Sequence, residues 1–283
     1  MKKWGVFLCI IIGLGLAIPK IQPLFQKKID IQNLPQTGEH FEEMEVPPGQ
    51  MHHGNLVLVN HEYPVHQEQI SSDIVSLSEN SQLVVGFKLL DQSIQLSESV
   101  TKEFARMVNA AEKEGVQHFM INSGYRDFAE QAILYDEMGA DYALPAGYSE
   151  HNLGISLDVG STEGKMENAS EGKWIEKNAW KYGFILRYPK DKVAITGIQY
   201  EPWHIRYVGL PHSAIMHKKN FALEEYLDFL KAEESLSVQY NGKSYQVTYF
   251  PITEEQTIQV PINQKYELSG NNMDGVIVSI YPD

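Results

Sequence analysis

The chain has 283 residues, enough for one main core with additions, and its 43% hydrophobic and 21% charged residues exclude both a disordered and a polytopic protein. A formal net charge of −14 repels polyphosphates at long range, so no nucleic acid partner is expected. The single cysteine, Cys9, rules out a disulfide framework within the chain, and the bulky Leu8 before it argues against lipidation.

In chain order, Lys2 and Lys3 precede an uncharged, mostly apolar run from Trp4 to Ile18. This is the pattern of a secretory signal, and Ile21, Leu24 and Phe25 extend it towards the length of a span. No small-x-small cleavage site follows, so residues 1–26 are expected to be an uncleaved signal-anchor. It would hold the chain at the cell membrane as a single pass with the remainder extracytoplasmic, although Lys20, Lys27 and Lys28 weaken the charge bias. Residues 27–54 are polar and proline-containing and read as a stalk or linker. Residues 55–234 then form the main domain, beginning with a strand-like run at Leu56 to Val59. Val100, Phe104, Met107, Val108 and Ala111 recur at helical spacing up to Gly115, and Val116 to Ile121 reads as a strand. Asp127 and Glu130 open a second helix in the manner of a capping box, with Phe128, Ala132, Ile133 and Tyr135 on one side and Gly139 at its end. A loop leads to a strand at Ile155 to Val159. A helix from about Ser170 to Tyr182, a strand at Phe184 to Arg187, an extended segment broken by Pro202 and a helix near Leu223 to Leu230 complete the domain. Residues 235–283 read as a small β appendage with a hairpin across Asn241-Gly242. The mixture of helices and strands with short connections is that of an α+β fold.

The chemistry concentrates in two stretches. Asp158 sits among Ile155, Leu157 and Val159, and a buried carboxylate costs several kcal/mol unless a cation meets it. His151 lies at the mouth of the same strand, with Gly154 between them. In the second stretch Pro202 pushes Glu201 out of helical conformation, so Glu201 and His204 share a site only across a bend. His151, Asp158 and His204 as ligands leave a fourth position open, the form of a catalytic zinc site, and Glu201 would then be the general base. Glu201 could equally pair with Arg206 or Arg126. Arg126 suits an oxyanion or a substrate carboxylate. Gln131 and Ser149 offer hydrogen bonds to a substrate terminus, and Tyr125 and Trp203 offer pocket walls. The other histidines have no partner spacing that points to a site, His52 and His53 included.

Ser-Gly-Tyr-Arg at 123–126, Ser-x-His-x-x-Gly-x-x-x-Asp at 149–158 and Glu-x-Trp-His-x-Arg at 201–206 together resemble the VanY-type D-alanyl-D-alanine carboxypeptidases of glycopeptide resistance. The resemblance implies a Hedgehog-like, D,D-peptidase α+β domain with an antiparallel central sheet. It implies one zinc ion on His151, Asp158 and His204 and Glu201 as general base; Arg126 is the second catalytic candidate, and Ser123, Tyr125, Gln131, Ser149 and Trp203 are the candidates for the substrate side. The implied reaction is hydrolysis of the C-terminal D-Ala from peptidoglycan precursor pentapeptides ending in D-Ala-D-Ala. Two other readings stay open on the sequence: an L,D-carboxypeptidase trimming tetrapeptide stems, and a non-enzymatic zinc module that binds the cell wall.

Overall fold

The computed structural model describes residues 29–34, 41–139, 144–252 and 256–282. The expected signal-anchor lies outside them, and among the described residues no helix is long and apolar enough to cross a membrane. The segment read as a stalk instead contributes two short strands, β1 (Asp30–Asn33) and β2 (Phe41–Glu45). Strands β3 (Ile74–Ser76) and β5 (Gln95–Ser97) pair as a small ribbon, and β4 (Lys88–Leu89) lies between them in sequence. Helix α1 (Glu98–Lys113) starts where the Ser97 side chain accepts from the Val100 N–H, and it buries Val100, Phe104, Met107, Val108 and Ala111 on one face.

The central sheet is built from β4, β6 (Phe119–Ser123), β7 (Ser156–Ser161), β8 (Phe184–Leu186) and β9 (His204–Tyr207) in the order β4-β6-β7-β9-β8. It is antiparallel except for the β4–β6 pair. Between its strands lie α2 (Phe128–Met138), α3 (Ser170–Asn178) and α4 (Val193–Thr196). Alternation divides the faces: Leu157, Val159 and Ile205 enter the core beneath α1 and α3, so Ser156, Asp158, His204 and Arg206 emerge on the other side. Helix α2 has the expected capping box but not the expected packing side. Its one buried residue is Gln131, and Ile133 is 60% exposed.

Helices α5 (His212–Lys219) and α6 (Leu223–Glu233) follow, and then β10 (Ser235–Tyr240), β11 (Lys243–Pro251), β12 (Thr257–Pro261), β13 (Tyr266–Gly270) and β14 (Gly275–Ile280). The second sheet runs β1-β10-β11-β14-β13, and β2 pairs with β12, which is where the supposed stalk goes. Its residues satisfy their backbone groups on strand edges, so residues 30–33 and 41–45 are not a free linker. The C-terminal β region shares one apolar cluster with Leu56, Leu58, Ile185, Val208, α5 and α6. Leu56 to Val59 is buried but carries no strand. Its neighbourhood turns its carbonyls to a side chain: Arg206 Nη2 donates to Asn55 O at 3.1 Å and Val57 O at 3.0 Å.

Candidate metal centre and substrate cleft

The site assembles where β7 and β9 run side by side. Asp158 is directly opposite His204 in the antiparallel register, and neighbours of that kind project from the same face. A register shift between Ile121 and Ser123 brings Ser123 opposite Asp158 on the other side. His151 arrives from the short 3-10 turn Glu150–Leu153, which Ser149 caps by accepting the His151 N–H at 3.3 Å. Gly154 then reverses the chain with φ +79, and a Cβ there would stand 2.4 Å from Ile74 Cδ1, so any other residue strains the backbone and must displace the Ile74 side chain.

One ligand atom from each of His151, Asp158 and His204 lies within 4.8 Å of the others. His151 Nε2 is 3.3 Å from Asp158 Oδ2, and His204 Nδ1 is 3.1 Å from Asp158 Oδ1. Two donors each about 2.0–2.1 Å from a tetrahedral ion stand about 3.3 Å apart, so the spacing fits zinc. The far nitrogens are also engaged. His151 Nδ1 donates to the Gly124 carbonyl at 2.6 Å, and His204 Nε2 faces Glu150 Oε2 at 3.4 Å. That is the outer support by which metal-binding imidazoles are held in one tautomer. The electrostatics agree. Burial would raise the Asp158 pKa, but His151 and His204 hold it far below the carboxylate range. Burial would lower that of His204, yet hydrogen bonds to Asp158 and Glu150 push it up to about 9, whereas burial keeps that of His151 below its ordinary value.

Glu201 reaches the centre by the bend that Pro202 imposes. The His204 N–H donates to the Glu201 carbonyl at 3.3 Å across the turn, and Glu201 Oε2 comes to 3.9 Å from His204 Nδ1. Burial raises the Glu201 pKa, opposed by His204 and Arg126 and reinforced by Asp158. The pairing of Glu201 with Arg206 is not made, because Arg206 Nη1 donates to Glu150 at 2.8 Å. Arg126 is fixed by its backbone, whose N–H donates to His151 O at 3.1 Å and whose carbonyl accepts from Asn152 Nδ2 at 2.8 Å. Its Nη1 donates to Gln131 Oε1 at 2.7 Å, its Nη2 is 3.9 Å from Asp158 Oδ2, and its Nε is buried without a partner.

A cleft of about 590 Å³ opens over these groups. Arg126, Gln131, Ser149, His151, Asp158, Glu201, Trp203 and His204 all line it, with apolar walls from Leu134, Met138, Leu144 and Ile198. Two of the sequence candidates do not. Ser123 is spent in the β6–β7 ladder, and Tyr125 bridges to Gln95 through its backbone, with its ring against the Gly154 corner. Gln131 is in the cleft wall, but its amide is committed to Arg126 and to the Leu144 carbonyl. Two residues were missed. Tyr188 lines the cleft with its ring centroid 5.0 Å from that of His204, and burial raises its hydroxyl pKa. Glu150, between Ser149 and His151 in sequence, sits behind His204. No local signal distinguishes it, since its partners come from distant strands.

An α+β sheet presenting two histidines and an aspartate on one face, with a carboxylate and a guanidinium over the same cleft, defines a mononuclear zinc peptidase. Residues 93–210 match the family model described as VanY, D-alanyl-D-alanine carboxypeptidase. A D-alanyl-D-alanine carboxypeptidase of Enterococcus faecium is 56% identical over all of this chain and 97% of its own length. The structure of the vancomycin resistance D,D-dipeptidase VanXYg with a D-Ala-D-Ala phosphinate analog covers 85% of this chain and 99% of that one, at TM-score 0.75 and 30% identity. A mutant of the D,D-pentapeptidase VanY from a VanB-type resistance cassette, solved with Zn(II), covers 61% of this chain and 98% of that one, at TM-score 0.51 and 27% identity. The chain belongs to the VanY family of D-alanyl-D-alanine carboxypeptidases. It is a zinc-dependent hydrolase, as the sequence motifs implied.

Proposed function

We propose that this enzyme removes the terminal D-Ala from peptidoglycan stem peptides ending in D-Ala-D-Ala, with His151, Asp158 and His204 holding zinc. The observation that carries the reading is the convergence of those three donors, Glu201 and Arg126 on one cleft. When bound, zinc supplies Lewis-acid polarisation of the scissile carbonyl and makes water more acidic. Glu201 takes the proton of the attacking water and delivers it to the leaving amine of D-Ala, which its partly desolvated carboxylate is suited to do. Arg126 offers N–H groups to negative charge on the substrate, and Gln131 keeps its guanidinium aimed. The walls formed by Leu134, Met138, Leu144, Ile198 and Trp203 suit the methyl groups of the D-Ala pair. Loss of that dipeptide end removes the target of glycopeptide antibiotics, which ties the activity to vancomycin resistance.

The N-terminal charge pattern and apolar run support a membrane tether with the catalytic region outside the cytoplasm, where such stems are met. The test of substrate is product analysis on three peptides side by side: a pentapeptide stem, a tetrapeptide stem and free D-Ala-D-Ala. D-Ala is expected from the pentapeptide, with loss of activity on chelation and recovery on adding zinc. Preferential cleavage of the tetrapeptide would replace this reading with an L,D-carboxypeptidase. For the tether, membrane fractions are expected to retain the full chain and to release one lacking residues 1–26.

A further inference from the structure

Behind His204, on the side away from the cleft, lies a buried ion network that the reaction scheme leaves unused. Glu150 is 1% exposed. Its Oε2 faces His204 Nε2 and accepts from Ser156 Oγ at 3.1 Å, and its Oε1 accepts from Arg187 Nε and Arg206 Nη1, both at 2.8 Å. Arg187 gives its other two nitrogens to Glu224, with Nη1 at 2.9 Å from Oε2 and Nη2 at 2.7 Å from Oε1. Glu224 stands in the first turn of α6, beyond the family-matched segment that ends at residue 210. The chain from the metal cluster to the C-terminal half is therefore His204, Glu150, Arg187, Glu224, with every link a direct contact.

Stability is a weak reason for such a network, because apolar residues of the same volume often stabilise a core as well as buried ion pairs do. Orientation is a better one. A carboxylate accepting from Nε2–H leaves Nδ1, the nitrogen on the Asp158 side, as the atom that would bind zinc and makes it the more basic donor. Glu150 does this only if its own rotation is stopped, which the two guanidiniums accomplish from one side and Ser156 from the other. The guanidinium fork of Arg187 serves two carboxylates at once, a task that a lysine ammonium lacks the geometry to perform.

We propose that Glu150 is a positioning residue for His204 and that Glu224 is its outer anchor, so that helix α6 helps to set the metal geometry. The proposal rests on His204 being a zinc ligand. It is tested by titrating zinc alone into the metal-free full-length chain and into Glu150→Gln, Glu224→Gln and Lys192→Met variants. Lys192→Met removes another tie of α6, the ion pair with Glu225 at 2.9 Å, and leaves the relay intact. Glu150→Gln is expected to weaken zinc about 10- to 100-fold, and Glu224→Gln, one link further out, about three- to tenfold. Lys192→Met should keep wild-type affinity, and cobalt-loaded Glu224→Gln should show an altered visible spectrum. If Glu150→Gln fails to fold, Glu224→Gln decides, since its side chain is at the partly exposed end of the network. Wild-type zinc affinity in folded Glu224→Gln would overturn the relay, and so would an equal loss in Lys192→Met, which would mean general loosening of α6. A His204→Ala chain that binds zinc as tightly as wild type would instead overturn the ligand assignment beneath it.

Discussion

At the level of single residues, the roles divide between groups that face the substrate and groups that hold them. Glu201 lines the cleft, so on the proposed mechanism Glu201→Gln, which keeps the shape and removes the carboxylate, should lower kcat by about 10²- to 10⁴-fold while one zinc per chain remains bound. Metal analysis beside steady-state kinetics checks this, and near-normal turnover in the metal-loaded variant would reject Glu201 as the base. Gln131 holds: its amide oxygen accepts from Arg126 and its amide nitrogen donates to the Leu144 carbonyl. Gln131→Ala should thus act through Arg126, raising KM by about tenfold with a smaller change in kcat. An unchanged KM would show that Arg126 does not need this support. Asp158 was legible because a carboxylate between core-facing Leu157 and Val159 demands explanation. Glu150 was not, because its meaning lies in Arg187 and Arg206, which reach it only after the sheet has formed.

At the level of elements, strands β6 to β9 of the central sheet were readable from the sequence, while its edge strand β4 and the edges of the second sheet were not. The helical period of α1 and the Asp127–Glu130 cap of α2 mark their elements locally. Strands β1 and β2 have no such mark. Asp-Ile-Gln-Asn and Phe-Glu-Glu-Met-Glu keep mostly polar, half-exposed side chains and gain their order from backbone pairing with β10 and β12. Gly154 is the element-scale feature on which the site depends, because the 3-10 turn bearing His151 joins β7 there. Gly154→Ala meets both a positive φ and the Ile74 side chain, so it should destabilise the fold by about 1–3 kcal/mol and weaken zinc binding with it. Denaturant unfolding of the zinc-loaded chain tests the first expectation. Ile74→Ala in the same chain should recover only the part due to the clash, and full recovery would mean that the backbone conformation costs nothing.

At the scale of the whole molecule, α5 and α6 sit between the catalytic sheet and the C-terminal sheet, and their junction is fastened by one neutral histidine. His212 at the start of α5 contacts Tyr226 Oη of α6 through Nδ1 at 2.7 Å and Ser279 Oγ of β14 through Nε2 at 2.9 Å. It is 3% exposed, and burial pushes its pKa from 6.5 down to about 3. The unfolded chain therefore takes up this proton first as the pH falls. Stability from the neutral form is complete above pH 6.5 and is lost on descending towards 3, by up to about 1.4 kcal/mol per pH unit. Replacing His212 by Gln should lower stability at neutral pH through imperfect hydrogen bonding, yet flatten the slope between pH 6.5 and 4.5. Unfolding curves for both chains across that window, at saturating zinc, make the comparison, since zinc release and carboxylate protonation are common to the two. Parallel slopes would show that His212 is not the acid-sensitive fastening between the two sheets. A flattened slope would place the junction itself among the parts that yield first in acid.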